Sequence, residues 1–146
     1  MLIKEIMEDL HKYLSDETAK HSIRVAESCY RSFNDMDMFY FYIIALLHDL
    51  IEDSDLSLED LMNKYSAKLI ENQGMEKTEI IFNAVDCLTR RENEKYFDYI
   101  KRIMQNKEAK IIKFFDAEDN LARCFLNKNK SLKKRYVKVL NLLMDE

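Results

Sequence analysis

The chain has no proline and a single glycine, Gly74. Strand-rich folds turn often and tightly, and tight turns draw on those two residues. Their near absence argues against a sheet and predicts helices joined by short polar loops. No apolar run approaches the ~18 residues of a membrane span, so none is expected. The three cysteines, Cys29, Cys87 and Cys124, show no CxxC or other ligand spacing. An odd, scattered set reads as buried reduced thiols in a cytoplasmic protein. A basic excess is also lacking: the net charge is −4, which disfavours a general nucleic-acid binder. An anionic substrate must then be drawn in locally, by a metal or by a few Lys and Arg. The opening MLIKEIMEDLHKYL contains acids and no small-residue cleavage site, so it reads as mature structure rather than a signal peptide.

What is present is helical periodicity. At 146 residues the length fits one domain, taken as 1–146. Leu2, Ile3, Ile6, Met7, Leu10 and Leu14 share one side of a helix over 2–14. Ser15 or Asp16 can cap the next, over 17–33, and Asn34 and Asp35 mark a break. The run MFYFYIIALLHDL (38–50) is apolar on all sides, which places it at the centre of the domain. Ser57 and Asp60 resemble a capping box, and Gly74 reads as a helix stop. Further helices are predicted over 77–88, from near Glu92, over 108–127 and over 131–144. The fold class is all-α, a compact bundle of seven or eight helices.

Chemistry-bearing residues lie on this frame at wide spacing. His21, the doublet His48-Asp49 and Asp116 offer two imidazoles and two carboxylates. Such a set suits one borderline divalent cation, Mn2+ first, with Fe2+, Co2+ or Zn2+ as alternatives. If the central helix runs one turn past the doublet, Glu52 stacks beside His48 and Asp53 beside Asp49. Glu52 and Asp53 are then the pair that orients or deprotonates a water. Only His11 remains outside the set, beside Lys12 in a position that reads as exposed, which favours a mononuclear site. Lys20, Arg24, Lys113, Arg90 and Arg91 are candidate phosphate clamps, since a metal alone does not neutralise a polyphosphate. Asn120 is placed to contact the substrate, and Tyr96 and Tyr99 to stack on a base.

These residues, in this order, resemble the HD-domain metal-dependent phosphohydrolases. The resemblance is closest to the small stand-alone hydrolases of the RelA/SpoT type. Their doublet is extended to HDxxED, here His48-Asp49-Leu50-Ile51-Glu52-Asp53. Their KLADxxxN motif corresponds to Lys113-Phe114-Phe115-Asp116-Ala117-Glu118-Asp119-Asn120, and LTRRENEKYFDYIKRI (88–103) is similar to a segment they carry. The resemblance spans about 18–126. It implies removal of the 3′-pyrophosphate from guanosine tetra- or pentaphosphate with Mn2+. It also implies His21, His48, Asp49 and Asp116 as ligands, Glu52 and Asp53 at the water, and Asn120 on the nucleoside. Two Phe precede Asp116 where Leu-Ala is usual, and Ala117 stands where a basic residue is common.

Plainer readings stand beside these. Glu52 and Asp53 also fit a solvated acidic loop, and Asn120 a surface amide. Each Lys or Arg taken singly fits a solvated charge, and Tyr96 and Tyr99 fit core positions. The basic tract 126–138 reads as a solvated face. The expected partner is a small nucleotide, with no nucleic acid and no membrane. A nucleoside monophosphate phosphatase is the alternative enzyme, and a non-catalytic nucleotide-binding module the alternative of another class.

Overall fold

The computed structural model describes residues 1–33 and 35–145, so Asn34, half of the expected break, lies outside the described residues. Among the described residues there are eight α-helices and no strand. They are α1 (Leu2–Tyr13), α2 (Asp16–Phe33), α3 (Phe39–Leu47), α4 (Leu58–Gln73), α5 (Met75–Leu88), α6 (Tyr96–Ile103), α7 (Lys107–Asn127) and α8 (Lys130–Met144). A 3-10 turn, Met36–Met38, leads into α3.

α3 is the axis of the bundle. Phe41, Ile43, Ile44, Ala45, Leu46 and Leu47 are all buried, and α1, α2, α5 and α7 pack around it. Burying a residue of this kind contributes about 1.5–3 kcal/mol, so this one short helix anchors several others. Around it, polar side chains fix the element ends. Ser15 Oγ accepts from Thr18 N–H at 3.2 Å and starts α2. Ser57 and Asp60 form a reciprocal capping box at the start of α4. Gly74 separates α4 from α5 at φ +86°, ψ 166°, a conformation that favours glycine. A buried link ties α1 to α4, where the Tyr65 hydroxyl donates to Asp9.

Two boundaries differ from the sequence expectation. The central helix ends at Leu47 instead of running through the doublet, and residues 48–53 form a turn. The reason is local competition for an acceptor. His48 Nδ1–H donates to the Ala45 carbonyl at 2.6 Å, the oxygen that an α-helix would offer to the amide of Asp49. The second difference is α6, which starts at Tyr96 rather than near Glu92. Residues 90–95 are drawn into a turn because the Glu94 carboxylate accepts from Arg91 N–H (3.0 Å) and from Arg102 (2.9 and 3.0 Å).

No helix is long and apolar enough to cross a membrane among the described residues. All three cysteines are free, with Cys29 and Cys124 buried and Cys87 half-buried.

Candidate metal centre

Three elements supply the centre. On α2, Glu17, His21 and Arg24 lie four and three residues apart and so share a face. On α7, Asp116, Asp119, Asn120 and Arg123 share another. The two faces meet in opposite chain order. Arg123 reaches Glu17 at 3.5 Å, His21 meets Asp116 and Asp119, and Arg24 meets Asp119. The turn after α3 brings in His48 and Asp49 from the third side.

One ligand atom from each of His21, His48, Asp49 and Asp116 lies within 4.8 Å of all the others. His21 Nε2 is 2.8 Å from Asp116 Oδ1 and 3.5 Å from Asp49 Oδ2. His48 Nε2 is 3.4 Å and 3.2 Å from the same two oxygens. Each imidazole spends its other nitrogen outward. His21 Nδ1–H donates to Asp119 Oδ2 at 2.6 Å, and His48 Nδ1–H donates to Ala45 O. Both acceptors lack a proton to give, so Nδ1 carries a hydrogen on both rings, and each Nε2, facing the carboxylates, is the nitrogen that can ligate a cation once its own proton leaves. Asp116 divides its oxygens. Lys113 Nζ donates to Oδ2 at 2.6 Å, while Oδ1 faces the imidazoles and accepts from Asn120 Nδ2 at 3.1 Å. Two imidazole nitrogens and two carboxylate oxygens, all pre-oriented, fit a borderline divalent cation.

The electrostatics run the same way. Burial opposes the charged form of Asp116, but Lys113, His21 and His48 outweigh it and hold the carboxyl well below its ordinary range. Burial likewise opposes ionised Asp119, yet His21 and Arg24 bring it down to about 2. Glu52 and Asp53 move the other way: desolvation raises both, and the charge of Asp49 adds to the rise. Their proton affinity is therefore above that of a free carboxylate.

A cavity of about 280 Å3 opens beside the cluster, lined on its working side by Asp49, Glu52, Asp53, Arg90, Tyr96 and Arg123. Although the helix stops at Leu47, the turn keeps Asp49, Glu52 and Asp53 within 4.8 Å of one another. Asp53 N–H donates to Asp49 O at 3.0 Å, and Glu52 Oε1 accepts from Arg90 N–H at 3.0 Å.

The expected substrate contacts are distributed unevenly. Lys113, Asn120, Arg90 and Tyr96 line the cavity, whereas Lys20 and Arg24 do not. Lys20 pairs with Asp16 at 2.8 Å on the outer face, and Arg24 is held by Asp119 through two bonds of 3.0 and 3.1 Å. Arg91 is spent on Asp86 at 2.9 Å. The Tyr96 ring is crowded by cations, with Arg135 at 4.5 Å and Arg90 at 5.5 Å, which leaves little face for a base. Its hydroxyl is buried without a protein partner. Tyr99 also lines the cavity but is almost fully buried, its hydroxyl donating to Leu88 O at 2.6 Å.

The sequence reading gave no role to Asp119, Arg123, Thr18 or Tyr136, although the first two sit against the cluster and Arg123, Thr18 and Tyr136 line the cavity. Asp119 and Arg123 carried a usable signal, since they fall three and seven residues after Asp116 on one helix face. Tyr136 carried none, because α8 lies outside every motif.

On this all-α bundle, a four-residue cluster that could hold a divalent cation opens into a cavity with two further carboxylates. The HD-domain family matches residues 18–121, most of the chain, and the chain belongs to that family. HD domains bind divalent metals and are generally metal-dependent hydrolases, and the four-residue cluster fits that metal site. No curated protein compared with the chain matches it.

Proposed function

We propose that the chain is a phosphohydrolase that removes pyrophosphate or phosphate from a nucleotide, using one Mn2+ ion. The leading substrate is guanosine tetra- or pentaphosphate, cleaved at the 3′-pyrophosphate. The observation that carries this reading is that the four-ligand cluster, through His21, Asp49 and Asp116, opens onto the same cavity as Glu52 and Asp53. When bound, the cation polarises a phosphoryl oxygen and eases ionisation of a water.

The residues divide the remaining work. His21, His48, Asp49 and Asp116 hold the cation. Arg90 N–H fixes the orientation of Glu52. Glu52 and Asp53, with raised proton affinity, accept the proton of the attacking water. Water attacks phosphorus in line with the departing oxygen. Arg90 and Arg123 border the space where negative charge grows and stabilise it. The Tyr96 hydroxyl, buried without a protein partner, is available to donate to the substrate. Asn120 is less free than its position suggests, because its amide donates to Asp116 and accepts from Arg123.

The test is an Mn2+-supplemented assay with guanosine tetraphosphate, following guanosine diphosphate and pyrophosphate. Turnover by the wild type and its loss in Glu52→Ala/Asp53→Ala supports the reading. Metal uptake without turnover moves the substrate elsewhere. The cavity volume of about 280 Å3 lies at the small end for a ligand site. That favours, as second reading, a nucleoside monophosphate phosphatase, which a nucleotide panel scored for phosphate against pyrophosphate release separates from the first. Failure to take up any divalent metal would favour a non-catalytic nucleotide-binding module.

A further inference from the structure

We infer that Asp119 is a positioning residue for the metal centre: braced by Arg24, it fixes the ring of His21 and strengthens His21 as a ligand. This rests on the metal-centre reading of the cluster and extends it one residue outward.

The two histidines are held differently. His48 Nδ1–H meets a neutral backbone carbonyl three residues back on its own element. His21 Nδ1–H meets a full carboxylate from another helix, 98 residues along the chain. Both bonds measure 2.6 Å, but an ionised acceptor makes the stronger one and pushes electron density onto the far ring nitrogen. His21 is thus the more firmly oriented of the two nitrogen donors.

Asp119 is itself held. Arg24 Nε donates to Oδ1 at 3.0 Å and Arg24 Nη2 to Oδ2 at 3.1 Å, a two-pronged grip that sets the carboxylate plane. Arg123 Nε approaches Oδ2 at 3.7 Å from the other side. The carboxylate therefore cannot swing out to bind the cation itself, and it remains an acceptor for His21. The His21 side chain is 3% exposed, Asp119 18% and Arg24 43%, so the brace runs from the site to the surface.

Positioning and simple charge make opposite predictions, which calorimetric titration with Mn2+ can read without any substrate. Asp119→Ala is expected to weaken Mn2+ binding by about 10–100-fold. Asp119→Asn keeps an acceptor oxygen and is expected to lose distinctly less. Arg24→Gln removes a positive charge near a cation site, so charge alone predicts tighter binding. Loss of the brace predicts weaker binding, by several-fold, and that is the expected result. Thermal denaturation in chelator shows whether each variant is folded, and the Asn and Gln variants carry the test if the Ala variant is not. Wild-type affinity in Asp119→Ala, equal losses in the Asn and Ala variants, or tighter binding in Arg24→Gln would each overturn the inference while leaving the metal centre standing. No Mn2+ uptake by the wild-type protein would overturn both.

Discussion

At the scale of single residues, the buried ammonium of Lys113 is the least expected partner in a cation site. Its Nζ lies 2.6 Å from Asp116 Oδ2, and both side chains are nearly inaccessible, at 8% and 5%. Removing one member of a buried pair strands the other and costs about 3 kcal/mol or more. Lys113→Met is therefore expected to melt about 6–12 °C lower than wild type in chelator. A cation bound at the cluster would supply the missing positive charge at Asp116, so most of the deficit should vanish when Mn2+ is added. A deficit of the same size with and without Mn2+ would mean that Lys113 acts through packing alone. The candidate ligands were legible in the sequence because the chain has only three histidines, one of them in a His-Asp doublet, with a later Asp on a helix. The bracing of His21 was legible only in part: Asp119 shares a helix face with Asp116, but only the approach of α2 to α7 joins it to Arg24.

At the scale of elements, most helix limits were legible from side-chain chemistry, as at Ser57-Asp60 and Gly74. Gly74 has open space around its Cα but adopts φ +86°. Gly74→Ala thus tests conformation alone and is expected to lower stability by about 1–2 kcal/mol, seen as a lower urea midpoint with an unchanged slope. The start of α6 was not legible, because it depends on a carboxylate bonding eight residues ahead. The Arg102 guanidinium, with help from Arg91, holds Glu94 at about 2 against an ordinary 4.5. A depressed acid stabilises the fold fully above its unfolded value and ceases to do so as pH falls through the folded one. Glu94→Gln should therefore be less stable than wild type at pH 7, by about 1 kcal/mol for a partly exposed charged hydrogen bond. The gap should close between pH 4.5 and about 2. Urea midpoints that stay equally far apart across that range would show that Glu94 contributes by packing.

At the scale of the whole molecule, the all-α architecture followed from the missing turn residues and the 3.6-residue period. The convergence of α2, the turn after α3 and α7 did not. Periodicity reports which face of each helix is apolar and is silent on which helices meet. The candidate centre joins residues distant in the chain, so occupancy by a divalent cation would couple directly to folding, and Mn2+ is the probe. At 100 times Kd the linkage is worth about 2.7 kcal/mol, or roughly 5–10 °C in Tm for a chain of this size. Asp49→Ala should abolish that shift while keeping a cooperative transition in chelator. A full Mn2+-induced shift in Asp49→Ala would remove Asp49 from the ligand set.

The order of the donors along the chain also bears on how the protein is made. His21 lies on α2 and His48 and Asp49 in the turn after α3, and α2 and α3 pack directly on each other, whereas Asp116 and its Lys113 partner arrive with α7. Chains grow at about 5–20 residues per second, so several seconds separate synthesis of Asp49 from that of Asp116. During that interval the growing chain contains His21, His48 and Asp49 and lacks the fourth donor, Asp116. The docking of α7 on α2 and α3 is therefore the step that completes the four-donor set.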